Sequence, residues 1–109
     1  MEALNTVAAS TDQTIRIRNS SLYLPYALYQ NYFSGLDAVI LLLHESRLLI
    51  LPVRHPGGGG LLMKVRNLQG DRVIHALEFF RDHDIDDTLD QEYPVRWDSE
   101  NAALIIDFS

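Results

Sequence analysis

Met63-Lys64-Val65-Arg66-Asn67 repeats Ile15-Arg16-Ile17-Arg18-Asn19 position by position: apolar, basic, apolar, Arg, Asn. After a short turn each copy continues into an apolar extended stretch, Leu22-Tyr23-Leu24 in the first and Val73-Ile74-His75 in the second. An aromatic helix is expected next (Tyr26 to Phe33; Leu77 to Asp84). Two hydrophobic strands around a polar turn then close each copy: Ala38–Leu43 with Leu48–Val53, and Tyr93–Trp97 with Ala102–Phe108. Each half reads strand, strand, helix, strand, strand. The chain is therefore expected to be a fused duplication, mainly β with two short helices (α+β).

The local signals agree with this outline. Alternation from Gln13 to Arg18 puts Ile15 and Ile17 on one face of a strand, Arg16 and Arg18 on the other. Pro25 suits the first turn of a helix, where its missing N–H costs nothing. Ser34-Gly35 suits the end of that helix, because glycine accepts the left-handed conformation of a C-terminal cap. The continuously apolar run Ala38–Leu43 predicts a strand buried on both faces. Asn67-Leu68-Gln69-Gly70 and Asp98-Ser99-Glu100-Asn101 have turn composition, with Tyr93, Val95 and Trp97 facing inward before the second.

Residues 1–12 are small and polar without a sustained period and are expected to form a flexible N-terminal tail. Residues 13–109 are expected to form a single domain of two half-repeats, 13–54 and 61–108, joined by a glycine-rich linker over 55–60. Gly57 to Gly60 lacks the downstream Lys-Ser/Thr of a phosphate-binding loop. A free half of about fifty residues sits near the lower limit for a self-sufficient core, so the halves are expected to share one. With 47% hydrophobic residues the composition allows that core.

Charge and residue usage narrow the function classes. The first sixty residues carry four Lys/Arg and four Asp/Glu, so residues 61–109 hold the whole net charge of −6. That balance argues against nonspecific coating of nucleic acid but leaves room for a local basic patch. Without cysteine there is no disulfide framework and no thiolate metal site. No run of eighteen apolar residues and no basic-then-apolar leader is present, so a soluble, cytoplasmic protein without a membrane partner is expected. Asp82 to Asp87 opens like a calcium loop, yet Asp87 and Tyr93 stand where the pattern needs Gly and Glu. His44, His55, His75 and His83 have no metal-ligand spacing, and no nucleophile elbow is found. Neither a cofactor nor an enzymatic activity is expected.

With both halves laid out, the chain resembles the swapped-hairpin DNA-binding proteins typified by AbrB, SpoVT and MraZ. The stretch that carries the resemblance is Gly70-Asp71-Arg72-Val73-Ile74-His75-Ala76-Leu77-Glu78-Phe79-Phe80-Arg81, followed by Ile85 and Asp86-Asp87. Leu22-Tyr23-Leu24-Pro25 is the complementary fragment in the first half, and it retains the proline that Ala76 replaces. Ser21 and Gln30 stand where Arg72 and Arg81 stand in the second half. The tandem arrangement over residues 13–108 is similar to MraZ. The resemblance implies a swapped-hairpin β-barrel and a small transcriptional regulator that binds DNA.

The residues expected to carry DNA contact are Arg16, Arg18, Lys64 and Arg66, one exposed cationic stripe if the two leading strands are related by a pseudo-two-fold. Arg72 and Arg81 would support them. Arg offers a planar donor fork to phosphate or a guanine edge, and a homodimer would double the footprint. Tyr26, Tyr29, Tyr32 and Phe33 are candidates either for the core or for an oligomer or partner interface. The alternative function is a protein-interaction module, antitoxin-like, whose acidic second half binds a basic protein.

Overall fold

The computed structural model describes residues 13–54 and 60–109; the expected tail (1–12) and most of the expected linker (55–60) lie outside the described residues. Strand β1 (Thr14–Arg18) buries Ile15 and Ile17 completely and exposes Arg16 and Arg18, as the alternation requires. Asn19 and Ser20 then take φ of 51° and 65°. Two consecutive left-handed residues form the turn whose twist matches a hairpin, so Ser21 already belongs to β2 (Ser21–Leu24). Pro25 holds the extended position before α1 (Tyr26–Tyr32), and Gly35, at φ 80°, redirects the chain after it. Strands β3 (Ala38–His44) and β4 (Arg47–Val53) pair around Glu45-Ser46, both also left-handed.

Strands β5 (Leu61–Leu62), β6 (Lys64–Val65) and β7 (Arg72–His75) precede α2 (Leu77–Asp82), and β8 (Asp90–Pro94), β9 (Arg96–Asp98) and β10 (Ala103–Asp107) follow it. Both helices are shorter than the sequence predicts. α2 ends where the His83 ring contacts the Phe79 carbonyl and Asp84 turns left-handed. Neither helix is long and apolar enough to cross a membrane.

Among the described residues all strands pair antiparallel, in two five-stranded sheets ordered β6-β7-β2-β1-β8 and β5-β3-β4-β10-β9. The core lies between them and includes Ile15, Ile17, Leu22, Leu24, Leu28, Phe33, Leu48, Ile50, Ile74, Phe80, Leu104 and Ile106, each completely buried. The expected closed barrel is not formed among the described residues. The chain instead passes from one sheet to the other through α1 and at two bends, buried Met63 between β5 and β6 and buried Val95 between β8 and β9. At each bend the backbone N–H extends a neighbouring ladder by one residue: Met63 donates to the Asp37 carbonyl beyond the β3–β5 pairing, and Val95 to the Gln13 carbonyl beyond the β1–β8 pairing. Corners of this kind let two sheets share strands without one continuous ladder.

Contacts across the halves fix the helices. The Asp71 carboxylate, on the β6–β7 turn, accepts the Tyr26 backbone N–H at 2.8 Å. It so satisfies one of the donors left orphaned at the start of α1. Asn67 holds that carboxylate through its amide at 3.0 Å, and Gly70, at φ 93°, leaves room for the Tyr26 ring where a side chain would collide. The Asn67 amide, and next the Tyr26 N–H, keep the Asp71 carboxyl below the ordinary aspartate range. A depressed folded-state value contributes stability above the unfolded pKa of about 3.9. That contribution is lost as pH falls through the lowered value. Asp71→Asn should therefore flatten the acid limb of stability below about pH 4, read by thermal melting at stepped pH; an unchanged limb would refute the cap.

Candidate functional site

Directly opposed residues in an antiparallel sheet share a face, so the registers settle where the cations lie. Across the β8-β1-β2-β7-β6 sheet one row runs Glu92, Arg16, Tyr23, Val73, Lys64, and the next runs Asp90, Arg18, Ser21, His75. Arg66 follows β6 and donates its backbone N–H to the Asp71 carbonyl. Its guanidinium sits over the Tyr23 ring, 4.8 Å from the centroid, the geometry of a cation–π contact. Arg16, Arg18, Lys64 and Arg66 thus share one outward face.

Arg16, Arg18, Tyr23, Arg66, Asp71 and Glu92 are among the residues lining an open cleft of about 220 Å³ on this face. It is electrostatically mixed. Asp90 meets Arg16 Nη2 at 2.7 Å and Arg18 Nε at 3.9 Å, and Glu92 stands 3.9 Å from Arg16. These side chains are 44–60% exposed, so each pair is worth less than about 1 kcal/mol and yields to a competing anion. Lys64 and Arg66 make no ion pair with the described residues. Such a cleft suits a flat or multiply charged anion: guanidinium forks for oxyanions, and a tyrosine ring for stacking.

The other expected site residues lie elsewhere. Arg72 is opposite buried Leu24, not on the cationic face; its guanidinium stacks 3.8 Å from the Tyr29 ring centroid and donates to the Gly70 carbonyl. Because side chains alternate along β7, the residue before Val73 must point toward α1. Arg81 is on α2 and pairs with Asp87 at 3.8 Å. Tyr29 and Phe33, expected either in the core or at an interface, are buried in the core of this chain. The Tyr29 hydroxyl is used internally, donating to the Leu36 carbonyl and accepting the Gly35 N–H, both at 3.2 Å. Tyr32 is half-buried and stacks on Trp97 at 4.8 Å, which leaves Tyr26 as the most exposed ring of the four.

Three participants escape the sequence reading. Tyr23, legible from sequence only as one of several clustered aromatics, lies under the Arg66 guanidinium on the cationic face. Asp90 and Glu92 are counter-charges whose partners, Arg16 and Arg18, lie on a strand more than seventy residues away. Comparison with protein-family models, with curated proteins and with solved structures finds no match for this chain.

Proposed function

We propose that the protein is a small cytoplasmic DNA-binding regulator of the AbrB/MraZ-like type, built from two halves that exchange their leading hairpins. The observation that carries the reading is the gathering of Arg16, Arg18, Lys64 and Arg66 on one sheet face around Tyr23. The strand registers support the exchange. The β1–β2 hairpin takes its next neighbour, β8, from the other half, and β5 likewise pairs with β3. Between the two hairpins Ser21 faces His75 and Leu24 faces Arg72. Since Ser21 aligns with Arg72 in the repeat, and Leu24 with His75, that junction has the register of a two-fold.

Phosphate is the natural ligand of four cations so arranged. Four contacts would give a salt slope of only about −3.6, and Asp90 and Glu92 compete for two of the guanidiniums. Affinity is consequently weak for one copy and rises with self-association. The test is fluorescence anisotropy with a labelled duplex at stepped salt. Arg18→Ala with Arg66→Ala should weaken binding roughly tenfold at low salt and flatten the slope by about 1.8. Unaltered binding rejects the face.

One observation favours a second reading, a module for a basic protein partner. Asp82 ends α2, and Asp84, Asp86 and Asp87 crowd the segment between it and β8, where Arg81 pairs with Asp87. Salt-sensitive capture of a basic protein that is lost on neutralising these carboxylates, with no duplex affinity, would select this alternative.

A further inference from the structure

Leu68 is the most exposed large apolar side chain among the described residues: it is fully open to solvent, and the next, Val65, is 66% exposed. It stands at the apex of the β6–β7 hairpin, whose connection runs from Arg66 to Asp71, against Asn19 and Ser20 alone between β1 and β2. The apex is braced. The Gly70 N–H donates to the Asn67 carbonyl at 3.1 Å and the Arg66 N–H to the Asp71 carbonyl at 2.7 Å. The Asn67 side chain ties the two ends together, accepting the Asp71 N–H at 3.1 Å and donating to its carboxylate at 3.0 Å. That carboxylate is fastened in turn to α1 through the Tyr26 N–H. Nothing in such a turn calls for leucine, since turn positions favour Gly, Pro, Asn, Asp and Ser. Held this way, Leu68 is kept from folding back onto the core, and its side chain stays in water at a hydrophobic cost.

We propose that Leu68 is a wedge that enters between base pairs when duplex DNA lies on the cationic face, an inference that rests on the nucleic-acid reading above. Arg66, two residues before Leu68, has its guanidinium on that face over Tyr23, and Lys64 precedes it on β6. Two residues span at most about 7 Å, and the minor groove is only about 6 Å across. A phosphate held by Arg66 therefore brings the adjoining base step within reach of the apex. Leucine is among the side chains that enter a minor groove, unstack one step and kink the duplex. A sheet face is flat and a straight duplex is a rod, so four cations reach few phosphates at once. The kink wraps more of the backbone against them. A leucine flanked by cations also suits an anionic lipid surface, but the polar Asn67 and Gln69 beside it leave little apolar area to bury there, and stable membrane anchoring takes more than one such signal. A wedge needs one side chain.

The test reads base unstacking with 2-aminopurine placed at a central TA step, which opens easily. Binding of the intact protein at low salt should raise its fluorescence roughly twofold or more as the base leaves the stack. Leu68→Ser, at a fully exposed position, should remove that rise and leave the salt slope of anisotropy binding unchanged. Gln69→Ser, beside it in the same turn, should keep both. Salt-dependent binding without a fluorescence rise, or a rise that survives Leu68→Ser, overturns the wedge and leaves the cationic face standing. Absence of any duplex binding overturns both readings. Cosedimentation with phosphatidylserine vesicles that Leu68→Ser abolishes, without a fluorescence rise on DNA, overturns the wedge in favour of a lipid surface.

Discussion

Phe33→Ala should lower the stability of the fold by about 3–5 kcal/mol, the cost of truncating a fully buried phenylalanine. Phe33 closes α1, its N–H donating to the Tyr29 carbonyl at 2.7 Å, and its ring is wholly inside the shared core. A domain of this size is stable by only about 5–15 kcal/mol, so the variant should lose much of its folded population on mild warming. Urea titration reads the effect as a lower midpoint at constant slope. A loss under about 1 kcal/mol would return Phe33 to the surface role that its aromatic neighbours invite from sequence. Tyr32→Ala is the contrasting case, because its stack on Trp97 is only half-buried. Beyond area burial such a pair is worth about 0.5–1.5 kcal/mol.

Asp90→Lys should raise affinity for duplex DNA roughly hundredfold at low salt. The substitution frees Arg16 and Arg18 from their shared carboxylate and adds a cation beside them. The added lysine releases about 0.9 counterion for its own phosphate contact, so the salt slope should steepen by about 1. Asp90 lies on the edge strand β8 and is half-exposed, so the fold should tolerate lysine there. If affinity and slope stay where they were, the cationic face does not touch the phosphate backbone.

The sequence carried the element order because local physics sets it. Alternation placed Ile15 and Ile17 inside, and the turn residues marked the hairpins. What local signals could not carry was pairing. β8 was legible as a strand with Tyr93 inward, but nothing near it says that Asp90 and Glu92 will face Arg18 and Arg16. Nor does the neighbourhood of Arg72 reveal that its side of β7 is roofed by α1 and not open to solvent. The apolar run of β3 was read as doubly buried, and within one chain Ile40 and Leu42 remain exposed. The composition of a run thus tells how apolar a strand is, not on how many faces its neighbours cover it.

The pairing of β1 with β8 also constrains how this protein can be made. Arg16 meets Asp90 across 74 positions and Tyr26 finds its capping carboxylate across 45, and contacts that distant slow folding because a long loop must close first. During translation the ribosome therefore delivers a hydrophobic hairpin long before its second neighbour exists. The β1–β2 hairpin thus stays without its β8 neighbour until nearly the whole chain has been made.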